Sequence, residues 1–389
     1  MELKLTQIDP YNCSLEELQL EIKRLTELKN EKYNLEQSIK IFINSIYGAL
    51  ASPYFVGYNI NAAEAVTLQG QDMIHFTNHI LDDYFLNQWH LDTKTHILMG
   101  LTKVKKIMDE TIVVYNDTDS TYITFKPVLD SCDFKGKEVD FILKLKESKI
   151  DPYLNQHFEE YAAKFNTKNL QNLELEKISY SALMLQKKKY ILNIAWSDPG
   201  IHYKELEKIK PVGIEIIQSS TPKFCRVVLK SMINLIFEKG KTLIYGDVVT
   251  RLRNYKEEFK MQDPNNIAQG KGIGDYEKYI VEDKNSLKLG LKCPINVRAA
   301  GVYNHNLLNS KYKTKYNMLK TGDKLKYYYS KGQHDVFGFV PGNYPMEFAY
   351  SIDYDKQFEK TIIEPLNRYL SAIGFNPIPG HLIYAKSLF

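Results

Sequence analysis

Tyr115-Asn116-Asp117-Thr118-Asp119-Ser120 stands between two short β-branched runs, Thr111-Ile112-Val113-Val114 before it and Thr121-Tyr122-Ile123-Thr124-Phe125 after it. The spacing predicts a hairpin with both carboxylates at its bend. Side chains two residues apart in extended chain point to the same side, so Asp117 and Asp119 would project together from a rigid base. Paired hard oxygen donors of this kind can hold divalent metal ions for phosphoryl transfer. Asp is also favoured in turns that bind nothing, and these six residues alone leave the two readings level.

The bulk composition sets bounds. With 389 residues, 44% hydrophobic and 25% charged, the chain is long enough for two or three domains and a substantial core. A net charge of +4 excludes a globally basic protein, so any nucleic-acid surface must be local. Cys13, Cys132, Cys225 and Cys293 form no C-x-x-C pair, which argues against a zinc site or a disulfide framework. No run of about 18 apolar residues exists to span a membrane. His75 and His79 stand one helical turn apart, but Phe76 fills the place of the glutamate in H-E-x-x-H, so they read as ordinary histidines.

Outward from the hairpin, helical and strand patterns mix, which predicts an α+β chain. Residues 14–50 read as one or two long helices, opened by a capping box in which Ser14 and Glu17 answer each other. Leu35, Ile39, Ile43, Ile46 and Leu50 form one stripe, expected to be buried; Tyr33, Gln37, Lys40, Asn44 and Tyr47 form a polar and aromatic stripe beside it. A helix over residues 61–89 should pack through Ala63, Val66, Gly70, Ile74 and Leu81. Further helices are expected over 141–145 and 153–165, and strands at 178–180 and 190–194 flank Lys187-Lys188-Lys189. Thr221 as N-cap and Pro222 in the first turn should open a helix with Cys225, Leu229, Met232, Ile233 and Ile236 inward, ending near Gly240. Gly270-Lys271-Gly272-Ile273-Gly274 lacks the phosphate-loop spacing and reads as a plain loop; a last helix is expected near 358–373.

Four clusters carry the chemistry. Lys40-x-x-x-Asn44-Ser45-x-Tyr47-Gly48 sets a cation and an amide one turn apart, able to hold an anionic phosphate, with a ring able to stack. The Asp117/Asp119 hairpin is the second, Lys187-Lys188-Lys189-Tyr190 the third. The fourth is Gln218-Ser219-Ser220-Thr221-Pro222-Lys223 at a helix start, where unpaired N–H groups attract phosphate. The bland alternatives for the third and fourth are solvated lysines and a helix cap.

Together these resemble the family B DNA polymerases, particularly the replicative enzymes of T-even-like bacteriophages. K-x-x-x-N-S-x-Y-G, Y-x-D-T-D-S, K-K-x-Y and S-S-T-P-K occur in that family's order, as does a K-C-P-x-x-x-R segment at Lys292–Arg298. The resemblance implies partial fingers over 1–51, a palm of antiparallel sheet and packed helices over 52–212, and a mixed, mainly helical thumb over 213–389. It implies templated addition of deoxynucleoside triphosphates (dNTPs) to a primer 3′-hydroxyl, assisted by two Mg²⁺ ions. Asp119 resembles the main metal-binding aspartate and Asp117 its companion. Lys40, Asn44 and Tyr47 look like contacts to the incoming dNTP. Lys188 and Tyr190 look like probes of the new duplex, where a donor facing the acceptors common to every correct minor-groove pair checks pairing without reading sequence. Ser219, Ser220, Thr221, Lys223 and Arg298 look like a grip on the primer–template DNA backbone.

The family's other palm aspartate, in a D-x-x-S-L-Y-P-type motif, is absent, as are its exonuclease carboxylates and first fingers helix. The nearest look-alike, Asn343-Tyr344-Pro345, has neither the aspartate nor the position. The expectation is a C-terminal piece of a split polymerase, inactive without an N-terminal polymerase chain and exposing sheet edges when alone. Asn116 stands where the family often has glycine, and is expected to tolerate left-handed backbone. Tyr384, Leu388 and Phe389 lie in an apolar tail of the kind that docks on a sliding clamp in the resembling phage enzymes. The resemblance implies a soluble, phage-encoded protein in the host cytoplasm. The rival reading is a non-catalytic DNA-binding and clamp-binding remnant.

Overall fold

The computed structural model describes residues 8–9, 11–282 and 286–384. Among the described residues helices alternate with strands that pair only antiparallel, an α+β fold, and the chain divides into two compact units, Met1–Gln171 and Asn172–Phe389.

Unit 1 begins with one continuous helix, α1 (Leu15–Leu50), opened by the Ser14/Glu17 capping box. The stripe expected to be buried is not. Leu35, Ile39, Ile43 and Ile46 are 53, 50, 60 and 45% exposed, Phe42 beside them is 66% exposed, and Leu50 is half-buried. Periodicity dictates which residues share a face, but a face is buried only where something covers it. Helix α2 (Ile60–Asp83) runs on through a π turn at Tyr84–Gln88. Its first half is likewise open: Val66 is 56% exposed and a side chain at Gly70 would meet nothing, although Ala63 and Leu81 are buried as expected.

The second half of α2 meets the core of the unit. Tyr84, Phe85, Trp89, Phe141, Leu145, Leu154 and Phe158 are buried among α2, α3 (Thr93–Met99), α4 (Lys126–Ser131), α5 (Glu138–Leu145) and α6 (Asp151–Ala163). Trp89 Nε1 donates to Ser131 Oγ at 2.9 Å, satisfying the polar edge of a fully buried indole. Asp92 caps α3 by accepting the Thr95 amide at 3.1 Å, and also accepts from the Tyr84 hydroxyl and the Lys149 ammonium, both at 3.0 Å.

Strands β1 (Val113–Asp117) and β2 (Ser120–Ile123) form a two-stranded sheet. A hairpin alone is marginal in water. This one is fastened to α2 by Asp82, which accepts the Thr111 hydroxyl at 2.7 Å and the Ile112 amide at 2.8 Å.

Unit 2 starts with a four-stranded antiparallel sheet of β3 (Lys177–Gln186), β4 (Lys189–Ser197), β5 (Ile201–His202) and β6 (Ile209–Val212), β4 lying between β3 and the other two. Helix α7 (Lys223–Lys239) then buries Cys225, Leu229, Met232, Ile233 and Ile236, the expected stripe, and stops before Gly240. Its start differs from the expected Thr cap. Pro222 holds the cap position, and the Thr221 hydroxyl donates to the Glu215 carbonyl at 2.6 Å.

The rest packs around α7: α8 (Tyr245–Lys260), α9 (Pro264–Ile267), β7 (Gln269–Gly272), α10 (Tyr276–Tyr279), β8 (Ile280–Glu282), β9 (Leu287–Leu289), α11 (Ile295–Leu308), β10 (Lys324–Tyr329), β11 (Val336–Phe339), α12 (Tyr354–Phe358), α13 (Glu364–Ser371) and α14 (Gly380–Tyr384). The glycine-rich stretch expected to be a loop is half strand: Gln269–Gly272 pairs with Lys324–Tyr327 of β10. That pairing reaches across some fifty positions, which no local pattern could announce.

Candidate active site

The hairpin closes on a two-residue turn, Thr118 and Asp119, with Asp117 opposite Ser120. Its tip is tied to itself. The Asp119 amide donates to the Asp117 carbonyl at 2.7 Å, the Ser120 hydroxyl to the same oxygen at 3.0 Å, and the Thr118 hydroxyl to Asp117 Oδ1 at 3.2 Å. Asp117 is half-buried and Asp119 exposed. The left-handed residue is Thr118, at φ 59°, not Asn116. Asn116 sits in strand pairing with Thr121, so its side chain is not asked to tolerate that backbone. Its Oδ1 is buried without a hydrogen-bond partner. Behind the tip the rings of Tyr115 and Tyr122 meet at 5.4 Å, and the Thr121 hydroxyl donates to Asn78 of α2 at 3.3 Å.

Helix α1 reaches the same scaffold. Lys40, Asn44 and Tyr47 lie exposed along it, and the Tyr47 hydroxyl is 2.6 Å from Thr67 Oγ1 of α2. A side chain at Gly48 would meet nothing within 4 Å, so the space beside Tyr47 is open. Thr67 and Asn78 are about 16 Å apart along α2 at 1.5 Å per residue. One helix thus carries both the lysine-bearing helix and the carboxylate hairpin.

Two carboxylates are the right chemical type for Mg²⁺, which keeps several waters and takes one or two protein carboxylates plus substrate phosphates. Among the described residues no group of three or more His, Cys, Asp and Glu could hold a metal. Asp117 and Asp119 are two carboxylates of that type at the hairpin tip.

In unit 2, Lys188 forms the exposed turn between β3 and β4 at φ 62°, and Tyr190 is buried in β4 opposite Val212. The Ser219–Lys223 loop is braced from within. Arg226 donates to the Thr221 carbonyl at 2.9 Å and the Ser219 carbonyl at 3.3 Å, and the Gly270 amide donates to the Ser220 carbonyl at 3.1 Å. Burial lowers the pKa of the Lys326 ammonium, and Lys223 and Arg226 nearby lower it further, against the pull of Asp263. Three cations therefore gather at the start of α7. Of the three, only Lys223 belongs to the S-S-T-P-K motif. Arg226, one turn along the same helix, is legible in the sequence, but Lys326 comes from a strand about a hundred positions away.

Arg298 is committed to Asp335, which accepts from it at 3.2 Å, and Lys356 approaches the same carboxylate at 3.9 Å. Leu388 and Phe389 lie outside the described residues, as does the side chain of Tyr384. No helix among the described residues is long and apolar enough to cross a membrane.

A model of the family described as DNA polymerase family B matches residues 18–373, and the chain belongs to that family. It is 26% identical over 362 residues to the DNA-directed DNA polymerase of Escherichia phage RB69, covering 86% of this chain and 36% of that protein. With the DNA-directed DNA polymerase of Enterobacteria phage T4 it shares 28% over 278 residues, 68% of this chain and 28% of that one. The DNA polymerase catalytic subunit of human herpesvirus 7 (strain JI) matches at 28% over 201 residues, 51% of this chain and 17% of that one. The chain spans about a third of the length of the phage relatives it matches.

Proposed function

We propose that the chain carries the metal-binding hairpin and the dNTP-contacting and duplex-gripping parts of a DNA-directed DNA polymerase. A further carboxylate would come from a separate polypeptide. The reading is carried by the seating of the Asp117/Asp119 hairpin and the Lys40–Tyr47 helix on one support, α2. The open apolar face of α1, a surface suited to a second helix, supports the shared site.

In this reading Lys40 and Asn44 hold the triphosphate of a dNTP and Tyr47 packs by the base it brings. The primer 3′-hydroxyl attacks the α-phosphate, and pyrophosphate leaves. Asp117 and Asp119 would hold Mg²⁺, whose chemistry is to polarise the transferring phosphate and favour the attacking alkoxide. The hairpin contributes rigidity. Thr118 braces the Asp117 carboxylate and Ser120 its backbone carbonyl, so that carboxylate need not reorganise as charge develops. The Lys188 turn and the Ser219–Lys223 loop hold the product duplex through its backbone and minor groove.

The test is primer extension by this chain reconstituted with a polypeptide bearing the missing aspartate motif. Asp119→Ala should cut the rate by at least about a hundredfold and leave duplex affinity within about twofold. Unchanged extension would make the chain a non-catalytic DNA-binding element. Full extension by the wild-type chain alone would refute the shared site.

A further inference from the structure

The segment joining β6 to α7 has little apolar packing of its own. Ile214 and Pro222 are buried at its ends, but Ile216 is half-buried and Ile217, Gln218 and Ser219 are exposed. The Ser219–Lys223 loop sits on this segment, and something other than a core must hold the segment in place.

Glu215 lies at its centre, and its side chain is only 17% exposed. Two consecutive residues of α13 seize its carboxylate. Arg368 Nη2 donates to Oε1 at 2.6 Å and the Tyr369 hydroxyl to Oε2 at 2.9 Å. Burial pushes this carboxyl up, but hydrogen bonds from its own amide and from Tyr369, together with the Arg368 charge, outweigh it and leave it below the usual range. The backbone of Glu215 is engaged as well, its carbonyl accepting the Thr221 hydroxyl.

Two residues before Glu215, Gly213 is pressed against the β3–β4 turn. A Cβ there would stand 2.0 Å from the Lys188 carbonyl oxygen. Glu215 therefore lies between a contact with the lysine turn on one side and the hydroxyl-bearing loop on the other. Beside it opens a pocket of about 410 Å³ whose walls include Gln186, Lys189, Arg368 and Ala372.

We infer that Glu215 is a positioning residue for duplex DNA: clasped by Arg368 and Tyr369, it fixes the Lys187–Lys189 turn and the Ser219–Lys223 loop in one register, so that both meet the same duplex at once. The inference rests on the DNA-handling reading above. It assigns Glu215 no contact with DNA. A charged clasp suits this task because its geometry is directional, whereas apolar contacts at a half-exposed loop would let it slide.

The experiment is equilibrium binding of the full chain to a labelled primer–template duplex of about 20 base pairs across a salt series, whose slope counts the phosphates engaged. Glu215→Gln should weaken binding about tenfold and reduce the slope by about one to two phosphates, because one of the two elements no longer reaches the backbone. A residue that merely stabilised the fold would lower the folded fraction and leave the slope of the folded molecules unchanged. Glu215→Asp should recover part of the slope. Formate, small enough for the pocket, should partly restore Glu215→Ala when compared with chloride at equal ionic strength. If the wild-type chain does not bind duplex, the DNA-handling reading falls and takes this inference with it. If the wild type binds and Glu215→Gln keeps its slope and affinity, only the clasp is overturned.

Discussion

Replacing Gly213 by Ala probes the tightest backbone approach in unit 2. Two penalties add. Gly213 has φ +65°, where an L side chain costs roughly 1–2 kcal/mol. The new Cβ would also stand 2.0 Å from the Lys188 carbonyl oxygen, so the β3–β4 turn must move by more than an ångström. Forcing atoms into an occupied site typically costs about 1–3 kcal/mol. The sum is roughly 2–5 kcal/mol, and at about 2–4 °C per kcal/mol for a unit of this size the midpoint of thermal unfolding should fall by about 10 °C. Gly342 supplies the control. It has φ +80°, but a Cβ there would meet nothing within 4 Å, so Gly342→Ala should show the backbone penalty alone. Urea unfolding followed by the fluorescence of Trp196, buried in the neighbouring β4, reports on both variants. Equal losses in the two would refute a close contact between Gly213 and the lysine turn.

Two further outcomes concern single side chains. Burial raises the Asp92 carboxyl, but the Thr95 amide, Lys149, the Thr95 hydroxyl and Tyr84 pull it down to about 2 from 3.8. A depressed carboxyl stabilises above its unfolded pKa, and the benefit is lost as pH falls through the folded value. Asp92→Asn should therefore cost on the order of 2 kcal/mol at pH 7 and only about 0.4 kcal/mol near pH 2, read from urea midpoints of unit 1 at both pH values. A pH-independent cost would contradict the network. Burial likewise pushes the Cys225 thiol up to about 12. Iodoacetamide at mild alkaline pH should modify the half-buried Cys13, Cys132 and Cys293 well before Cys225, as peptide mass spectra would reveal. Early labelling of Cys225 would show that unit 2 opens far more readily than its packing implies.

What could be read in the letters was local. The capping box at Ser14, the Asp117/Asp119 hairpin and the inward stripe of α7 each depend on residues within two or three turns of one another, and each stands where expected. The α1 stripe lies on one face as its spacing dictates but is exposed, because spacing carries no information about cover. Thr221 has the residue type of a helix cap, but a nearby carbonyl captured its hydroxyl. The cation cluster with Lys326 and the clasp of Glu215 by Arg368 join parts of the chain about 100 and 150 positions apart, and only folding brings them together. The candidate residues of unit 1 are legible as motifs. Their common dependence on α2 is not, since Thr67, Asn78 and Asp82 look like any polar residues of a helix.

Thr118 occupies a left-handed conformation between the two aspartates, where a β-branched residue costs on the order of 1–2 kcal/mol relative to glycine. A laboratory selection that rewards heat resistance and nothing else should thus replace Thr118 with Gly or Asn among its first gains. The variants it enriches would also lose the hydroxyl that steadies Asp117. Heat resistance and the bracing of Asp117 compete at this one position, and an engineer who tunes the protein by melting temperature alone would be working against that bracing.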